Sequence, residues 1–483
     1  MIPAEAWRGV KVAIIGAARE GTALARYLAA CGAQVTLSDT KPAEALGKAL
    51  AALEGLPVRL ALGGNPADLL AADVLFTSPG VPPTAPIVVQ AREQGVPISS
   101  EPRLFIQSCE ALVVGITGSS GKTTTTTLTG RMYAAAGRRT WVGGNVGQPL
   151  TERLLGAERP EVAVMELSSF QLELFAPEYQ GPAVEVRRSP ASRLISVAGW
   201  SPQIAAITNI TPNHLDRHPS MEDYIRAKTN ILRFQRPEDA AVLNADDPVT
   251  ASLVPQAKGR VFTFSLETPV AEGAYLYGEE LMLRHQGHER RLCRVEEVKL
   301  RGRHNLANIL AAACCALAGG VELAAMHQVA STFTGVAHRL ETVGVRRGVT
   351  YVNDSIATSP ERAMAALCAY REPLVLLAGG RDKHLPWDAW AELVRERVRV
   401  VVAFGEAVPI VVGALERAKS RGGAPGPSVH PVASLEEAVE LAARLARPGE
   451  VVLLSPGGTS FDAFEDFEAR GNRFRELVAA LGE

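Results

Sequence analysis

The sequence predicts an α/β protein of three domains: a Rossmann-like N-terminal domain, a central P-loop ATPase-type α/β domain, and a C-terminal doubly wound Rossmann-like domain. Three observations carry this. A chain of 483 residues that is 47% hydrophobic has material for about three cores. The stretch Val113–Arg131, VVGITGSSGKTTTTTLTGR, joins an apolar run through a glycine-rich turn to residues at helical spacing. On either side of it, short apolar runs end in glycine, serine or charged residues and alternate with helical patterns. The boundaries fall at 1–106, 107–336 and 337–483.

Bulk properties exclude several classes. Fifty basic and 52 acidic residues leave a formal charge of −2, so there is no electrostatic case for nucleic acid. Six cysteines form no C-x-x-C pair and read as reduced thiols. The opening MIPAEAWRGVKVAIIG runs straight into a strand, and no apolar run is long enough for a membrane span. A cytoplasmic protein with no membrane partner is expected.

In residues 1–106, Lys11–Gly16 is a strand, Ala23, Leu24, Tyr27 and Leu28 mark a helix, and Gln34–Asp39 is a second strand. An acid closing the second strand is where ribose hydroxyls are often read. The glycine signal is weak: Gly16, Ala18 and Gly21 give G-x-A-x-x-G, which suits phosphates, a uridine nucleotide or no ligand. Val74–Thr77 is another strand, and Ser78 follows at its carboxyl end, facing the ligand crevice of such sheets. Read alone, Gly16–Asp39 also admits a nicotinamide-dependent oxidoreductase, but that reading leaves Lys122 and Glu166 unexplained.

In residues 107–336 the phosphate loop dominates. Backbone N–H groups of Gly118, Ser119, Ser120, Gly121, Lys122, Thr123 and Thr124 would approach phosphate oxygens at a helix N-terminus. Lys122 would reach the β and γ phosphates, and Thr123 would sit on Mg²⁺. Ile116 stands where the strict pattern has glycine. Asn145 lies in a glycine turn, Gly143–Gly147. Glu166 ends the buried strand Val162–Met165, where Mg²⁺ is commonly held downstream of a phosphate loop. Ile204–Ile210 is a further strand, leading to His214, Asp216 and His218, which lack the neighbours of a zinc set. Ser220 opens a helix on which Lys228 shares a face with Tyr224, Ile225, Ile231 and Leu232. By pattern alone that lysine snorkels to solvent unless it has a job. Pro177–Trp200 reads as an inserted loop. His304, Asn305 and Asn308 are polar groups at the start of an Ala/Leu/Cys-rich helix, usable for capping or for an adenine edge.

In residues 337–483, strands over Thr350–Asp354, Leu374–Ala378, Val400–Phe404 and Val451–Leu454 each end in glycine, serine or charge, as in a doubly wound sheet.

The ordered set of motifs is specific. Gly115–Thr124, Gly144–Gly147, Glu166–Glu173, Asn209–Asp216, Gly302–Asn305, His338–Glu341 and Asn353–Ser355 resemble the Mur ligases of peptidoglycan precursor synthesis. The closing Ser455–Gly471 is most similar to members that add D-glutamate to UDP-N-acetylmuramoyl-L-alanine. The Asp-Asn-Pro-Arg motif of members that add diamino acids is missing from this sequence.

That resemblance implies ATP, two Mg²⁺ ions and an acyl-phosphate route, with the two substrates as the only partners of a monomer. Asp39, Thr40, Ser78 and Asn145 would contact the UDP moiety. Lys122 and Thr123 would hold phosphates and metal, and Glu166, His214 and Lys228 would be metal ligands, Lys228 as a carbamate. Lys122, His214 and Lys228 would be catalytic. Asn305 and Asn308 would meet adenine, Arg339 and Asp354 the γ-phosphate and ribose, and Lys383, Ser460 and Phe467 the D-glutamate. A superfamily ligase with another acceptor is the nearest alternative. His384-Leu385-Pro386 departs from the small or polar residues common at that place.

Overall fold

The computed structural model describes residues 2–145, 147–180, 194–213, 217–383, 385–420 and 426–482. His214, Asp216, His384 and the middle of the Pro177–Trp200 stretch lie outside these. Two compact units are present, one of residues 1–298 with 303–333, the other of residues 299–302 with 334–483.

The first unit contains two sheets. Strands β1 (Lys11–Ile15), β2 (Gln34–Asp39), β3 (Val58–Leu62), β4 (Val74–Thr77) and β5 (Ile98–Ser99) form a parallel sheet in the order β3-β2-β1-β4-β5. The strand order reverses at β1 and β4, so their carboxyl ends, at Gly16 and Ser78, flank the crevice where open α/β sheets take ligands.

The second sheet comprises β6 (Leu112–Thr117), β7 (Thr140–Gly144), β8 (Val162–Glu166), β9 (Ile204–Ile207), β10 (Ala240–Asn244), β11 (Arg260–Ser265), β12 (Gly273–Tyr277), β13 (Glu280–His285) and β14 (His288–Arg294). Its order is β14-β13-β12-β11-β10-β9-β6-β8-β7. β6 is flanked by β8 and β9, so the phosphate loop leaves from inside the sheet, beside Glu166 and Thr208. β8 is buried throughout, which accounts for its unbroken apolar run up to Glu166. The antiparallel edge β12–β14 and the strands β10 and β11 fall in a stretch that sequence analysis leaves unassigned. β9 is also shorter than expected: Thr208 N–H still reaches Thr117 O of β6 at 3.0 Å, but the Asn209 carbonyl and side chain accept from the phosphate loop instead. Trp7, Phe76, Phe105, Trp141, Phe175 and Ile231 belong to one continuous apolar core.

The second unit holds β15 (Glu341–Arg346), β16 (Val349–Asn353), β17 (Leu374–Gly379), β18 (Val398–Phe404), β19 (Ser428–Val432) and β20 (Val451–Gly457), in the order β15-β16-β20-β17-β18-β19. All neighbours are parallel except β15 with β16. The four strands expected here are present. β15 and β19 are partly exposed edge strands and lack the continuous apolar run of the buried four.

Candidate active site

The phosphate loop is built from the backbone outward. Gly118 and Gly121 adopt φ of +151° and +79°, and a Cβ at Gly121 would lie 2.3 Å from Asn308 Oδ1. Only glycine allows this turn and this close approach. The loop is pinned from β9's end: Ser120 N–H donates to Asn209 Oδ1 at 2.9 Å, Thr208 Oγ1 donates to Ser120 O at 2.6 Å, and Ser119 N–H donates to Asn209 O at 2.9 Å. The helix Lys122–Ala135 starts immediately after and has no side-chain cap. Its first-turn N–H groups therefore remain available to an anion.

Lys122 Nζ donates to the carbonyls of Gly118 (2.8 Å) and Ser119 (3.1 Å). Thr123 Oγ1 donates to Glu166 Oε2 at 2.7 Å, and Asn145 Nδ2 donates to Glu166 Oε1 at 2.8 Å. Asn145 N–H reaches the Glu166 carbonyl at 2.9 Å. Glu166 is 3% exposed. Four sequence-selected residues thus converge, and the tie between Asn145 and Glu166 joins two motifs 21 residues apart.

Lys228 does not snorkel. It is 2% exposed, with Nζ donating to Gly118 O at 2.8 Å and to Thr117 Oγ1 at 3.3 Å, over the Tyr224 ring at 4.8 Å. The helix Met221–Arg233 turns that face against β6 and β9 rather than to water. Burial, with the charge of Lys122 adding to it, pushes the Lys228 amine well below the ordinary lysine range, and Glu166 offsets part of this. Tyr224, not singled out as a site residue, brings its hydroxyl within 3.0 Å of Ser119 Oγ. Its signal was present, one helical turn before Lys228. His218 is buried, with Nε2 2.9 Å from Ser169 Oγ and Nδ1 3.4 Å from Glu173.

Asn308 Nδ2 donates to Asn305 Oδ1 at 3.1 Å, and Thr125 Oγ1 donates to Asn308 Oδ1 at 3.4 Å, which places this pair behind Gly121. At the first sheet, both Asp39 oxygens are held by backbone, from Ala17 N–H (2.8 Å) and Lys41 N–H (2.9 Å). Ser78 Oγ donates to Gly16 O at 2.9 Å. These two side chains shape the turn after β1, and Thr40 is exposed beside them.

In the second unit, His338 and Leu340 take the left-handed φ values +62° and +45° around Arg339, a strained arrangement for such residues. Glu341 accepts from His338 N–H (2.9 Å), Asp354 accepts from Leu340 N–H (3.2 Å), and Asn353 Nδ2 meets His338 Nδ1 at 3.0 Å. Asp354 also accepts from Ser455 Oγ at 2.9 Å, and burial pushes its carboxyl up to about 7. Phe467 O accepts from Ser355 Oγ at 2.8 Å. Lys383 Nζ lies 3.4 Å from Thr358 Oγ1, and Ser460 is buried.

The donor chemistry fits a hard cation. A hydroxyl and a carboxylate suit Mg²⁺, and no cluster of three or more His, Cys, Asp or Glu among the described residues offers a transition-metal site instead. No helix among those residues is long and apolar enough to cross a membrane.

A phosphate loop with a buried lysine and a carboxylate at its back, in a chain that carries two further α/β sheets, defines a nucleotide-dependent enzyme. Three family models agree on which one: the Mur ligase MurD-like N-terminal domain matches residues 10–100, the Mur ligase middle domain 116–316, and the Mur ligase glutamate ligase domain 338–458. The chain belongs to the Mur ligase family, whose members are ATP-dependent amide-bond-forming ligases that generally use Mg²⁺. It is 43% identical over 474 residues, 98% of each chain, to the UDP-N-acetylmuramoylalanine--D-glutamate ligase of Symbiobacterium thermophilum. To the enzyme of that name from Clostridium novyi it is 39% identical over 475 residues, 98% of this chain and 97% of the other. The fold matches the UDP-N-acetylmuramate-alanine ligase of Thermotoga maritima with a TM-score of 0.58 at 20% identity, covering 98% and 100% of the two chains.

Proposed function

We propose that this chain adds D-glutamate to UDP-N-acetylmuramoyl-L-alanine at the expense of ATP, as a cytoplasmic monomer in peptidoglycan precursor synthesis. The observation that carries the reading is the convergence of Lys122, Lys228, Thr123 and Glu166 on the phosphate loop, in a chain that is similar over 98% of its length to ligases named for this step. Three domains, 1–106 for the UDP substrate, 107–336 for ATP and 337–483 for the amino acid, divide the work.

The terminal carboxylate of the UDP substrate attacks the γ-phosphorus of ATP, releasing ADP and forming an acyl phosphate. The D-glutamate amine then adds to the acyl carbon, and the tetrahedral intermediate expels phosphate to leave the amide. Two anions must meet in the first step. Lys122, released from the Gly118 and Ser119 carbonyls, places its charge on the β and γ oxygens, and the N–H groups of Gly118–Thr124 hold the same phosphates. Thr123, Glu166, His214 and Lys228 would hold two Mg²⁺ ions, which supply neutralisation of the phosphate charge.

An ammonium cannot ligate a cation. The depressed Lys228 amine is neutral more readily than an exposed lysine, and a neutral amine adds to CO₂ to give a carbamate and one proton. The product carries two oxygens where Nζ now meets Gly118. Asn305 and Asn308 serve adenine, Arg339 and Asp354 the γ-phosphate and ribose, and Lys383, Ser460 and Phe467 D-glutamate. Asp39, Thr40, Ser78 and Asn145 serve the UDP moiety.

The test is phosphate release with ATP, Mg²⁺ and UDP-N-acetylmuramoyl-L-alanine, offering D-glutamate, L-glutamate, L-lysine and meso-diaminopimelate separately. Release with D-glutamate alone is expected. Release with another acceptor alone would reassign the step.

A further inference from the structure

Arg339 is carried by a turn that its own residues do not favour. His338 and Leu340, on either side of it, hold left-handed φ values of +62° and +45°. Non-glycine residues keep such angles only where the surroundings enforce them. Backbone bonds do part of this: Ile356 N–H donates to His338 O at 3.1 Å, His338 N–H to Glu341 Oε2 at 2.9 Å, and Leu340 N–H to Asp354 Oδ1 at 3.2 Å. The His338 ring, on a residue only 6% exposed, is a further anchor.

The ring sits in a socket on the helix Phe467–Ala480. A Cβ on Gly471 would lie 2.1 Å from His338 Nδ1 and 2.9 Å from its Cγ, so any side chain there displaces the ring. Asn353 Nδ2 reaches both His338 Nδ1 and the Gly471 carbonyl at 3.0 Å, which closes the socket from β16. Burial first, and the Arg475 charge second, hold the ring below the ordinary histidine range. Its Nδ1 therefore stays an acceptor for Asn353, and the ring adds no charge beside Arg339. Phe467 meets the ring edge-on at 6.3 Å, and Arg475 Nε donates to Glu341 Oε1 at 3.0 Å. The same helix, through Arg470, holds the carbonyls of Gly458 and Thr459 just ahead of Ser460. Alanine is the better helix former at an interior position. Glycine here serves the ring, not the helix.

We propose that Gly471 is a positioning residue for Arg339 in the ligase reaction: the bare helix surface there holds the His338 ring and, through it, the strained turn that carries the arginine. A turn held in this way is ready for its ligand before the ligand arrives, and a displaced ring releases it. The arginine and the run ahead of Ser460 then share one support, the helix that begins at Phe467. The inference rests on the reading of Arg339 as a γ-phosphate contact.

The experiment is initial-rate kinetics of the full chain, of Gly471→Ala, of Arg339→Ala and of the double variant, varying ATP and, separately, UDP-N-acetylmuramoyl-L-alanine. Gly471→Ala is expected to lower kcat/KM for ATP by about ten-fold or more, while KM for the UDP substrate moves by less than about two-fold. Because the socket acts through Arg339, the double variant should be within about two-fold of Arg339→Ala alone. Native ATP kinetics in Gly471→Ala, equal losses toward both substrates, or losses that multiply in the double variant would overturn the assignment. His338→Ala empties the socket without crowding it and should show the same ATP-selective loss, again not adding to Arg339→Ala. It decides the matter if urea unfolding shows that Gly471→Ala does not fold. Native ATP kinetics in Arg339→Ala overturns the γ-phosphate reading itself, an outcome seen without any change at Gly471.

Discussion

Lys122 and Lys228 donate to the same acceptor, the Gly118 carbonyl, each at 2.8 Å. Two ammonium groups sharing one oxygen repel, and only one of them is buried. The buried one, Lys228, is pushed toward the neutral amine, by burial first and by the Lys122 charge second.

Lys228→Ala should therefore be nearly inactive and partly rescued by a small carboxylic acid that restores oxygens to the cavity. Wild-type turnover in the unrescued variant would sink the metal role. In the native enzyme, ¹³C-bicarbonate should give a carbamate signal that Lys228→Ala lacks. Depleting CO₂ should cost more activity at lower pH, where less of the amine is neutral.

Asn145 fixes Glu166 without being placed among the metal ligands itself. Asn145→Ala should raise the Mg²⁺ concentration for half-maximal activity by about 10–100-fold, the usual effect of losing a ligand-orienting partner. An unchanged Mg²⁺ requirement, with activity lost for another reason, would show that the Asn145–Glu166 bond is incidental.

Lys122→Ala should abolish ligation while leaving UDP-substrate affinity close to native, because the proposed UDP site is on the first sheet. Full turnover in that variant would remove the phosphate-loop assignment.

Glu20 sets a pH trend in stability. Its carboxyl rises from 4.5 to about 8 in the folded chain, by burial first and the neighbouring Glu101 second. Between those values the folded state binds more protons than the unfolded state, so stability falls as pH rises. Glu20→Gln, which keeps the shape and cannot ionise, should flatten that decline and be more stable than native near the upper end of the window. Urea midpoints across that range decide it; parallel curves for the two proteins would exclude a protonated Glu20.

Arg470 is fully buried and donates to Ser355 Oγ (3.0 Å), Thr459 O (3.0 Å), Ser355 O (2.9 Å) and Gly458 O (3.2 Å). Arg470→Met would strand these acceptors at the root of the Ser460 loop. A loss of about 2–4 kcal/mol is expected from unsatisfied buried groups, read by denaturant unfolding.

The phosphate loop, Glu166 and much of the strand-helix rhythm were legible because they depend on neighbours in sequence, although the parallel strands β10 and β11 went unassigned. A glycine turn between a strand and a helix needs nothing distant to declare itself, and buried parallel strands show as apolar runs. The meander β12–β14 was not legible, since its antiparallel, partly exposed strands lack such runs. The lysine on the apolar stripe could not be assigned for a different reason. Periodicity places Lys228 on a face, but whether that face meets water or the Gly118 carbonyl depends on packing against residues more than 100 positions away. The same holds for Glu20 against Glu101 and for His338 against Gly471. Sequence by itself determined which groups this protein owns and the elements that carry them. Only the tertiary structure decided which of those charges share a dielectric, because burial and Coulomb energy depend on distance through space, not along the chain.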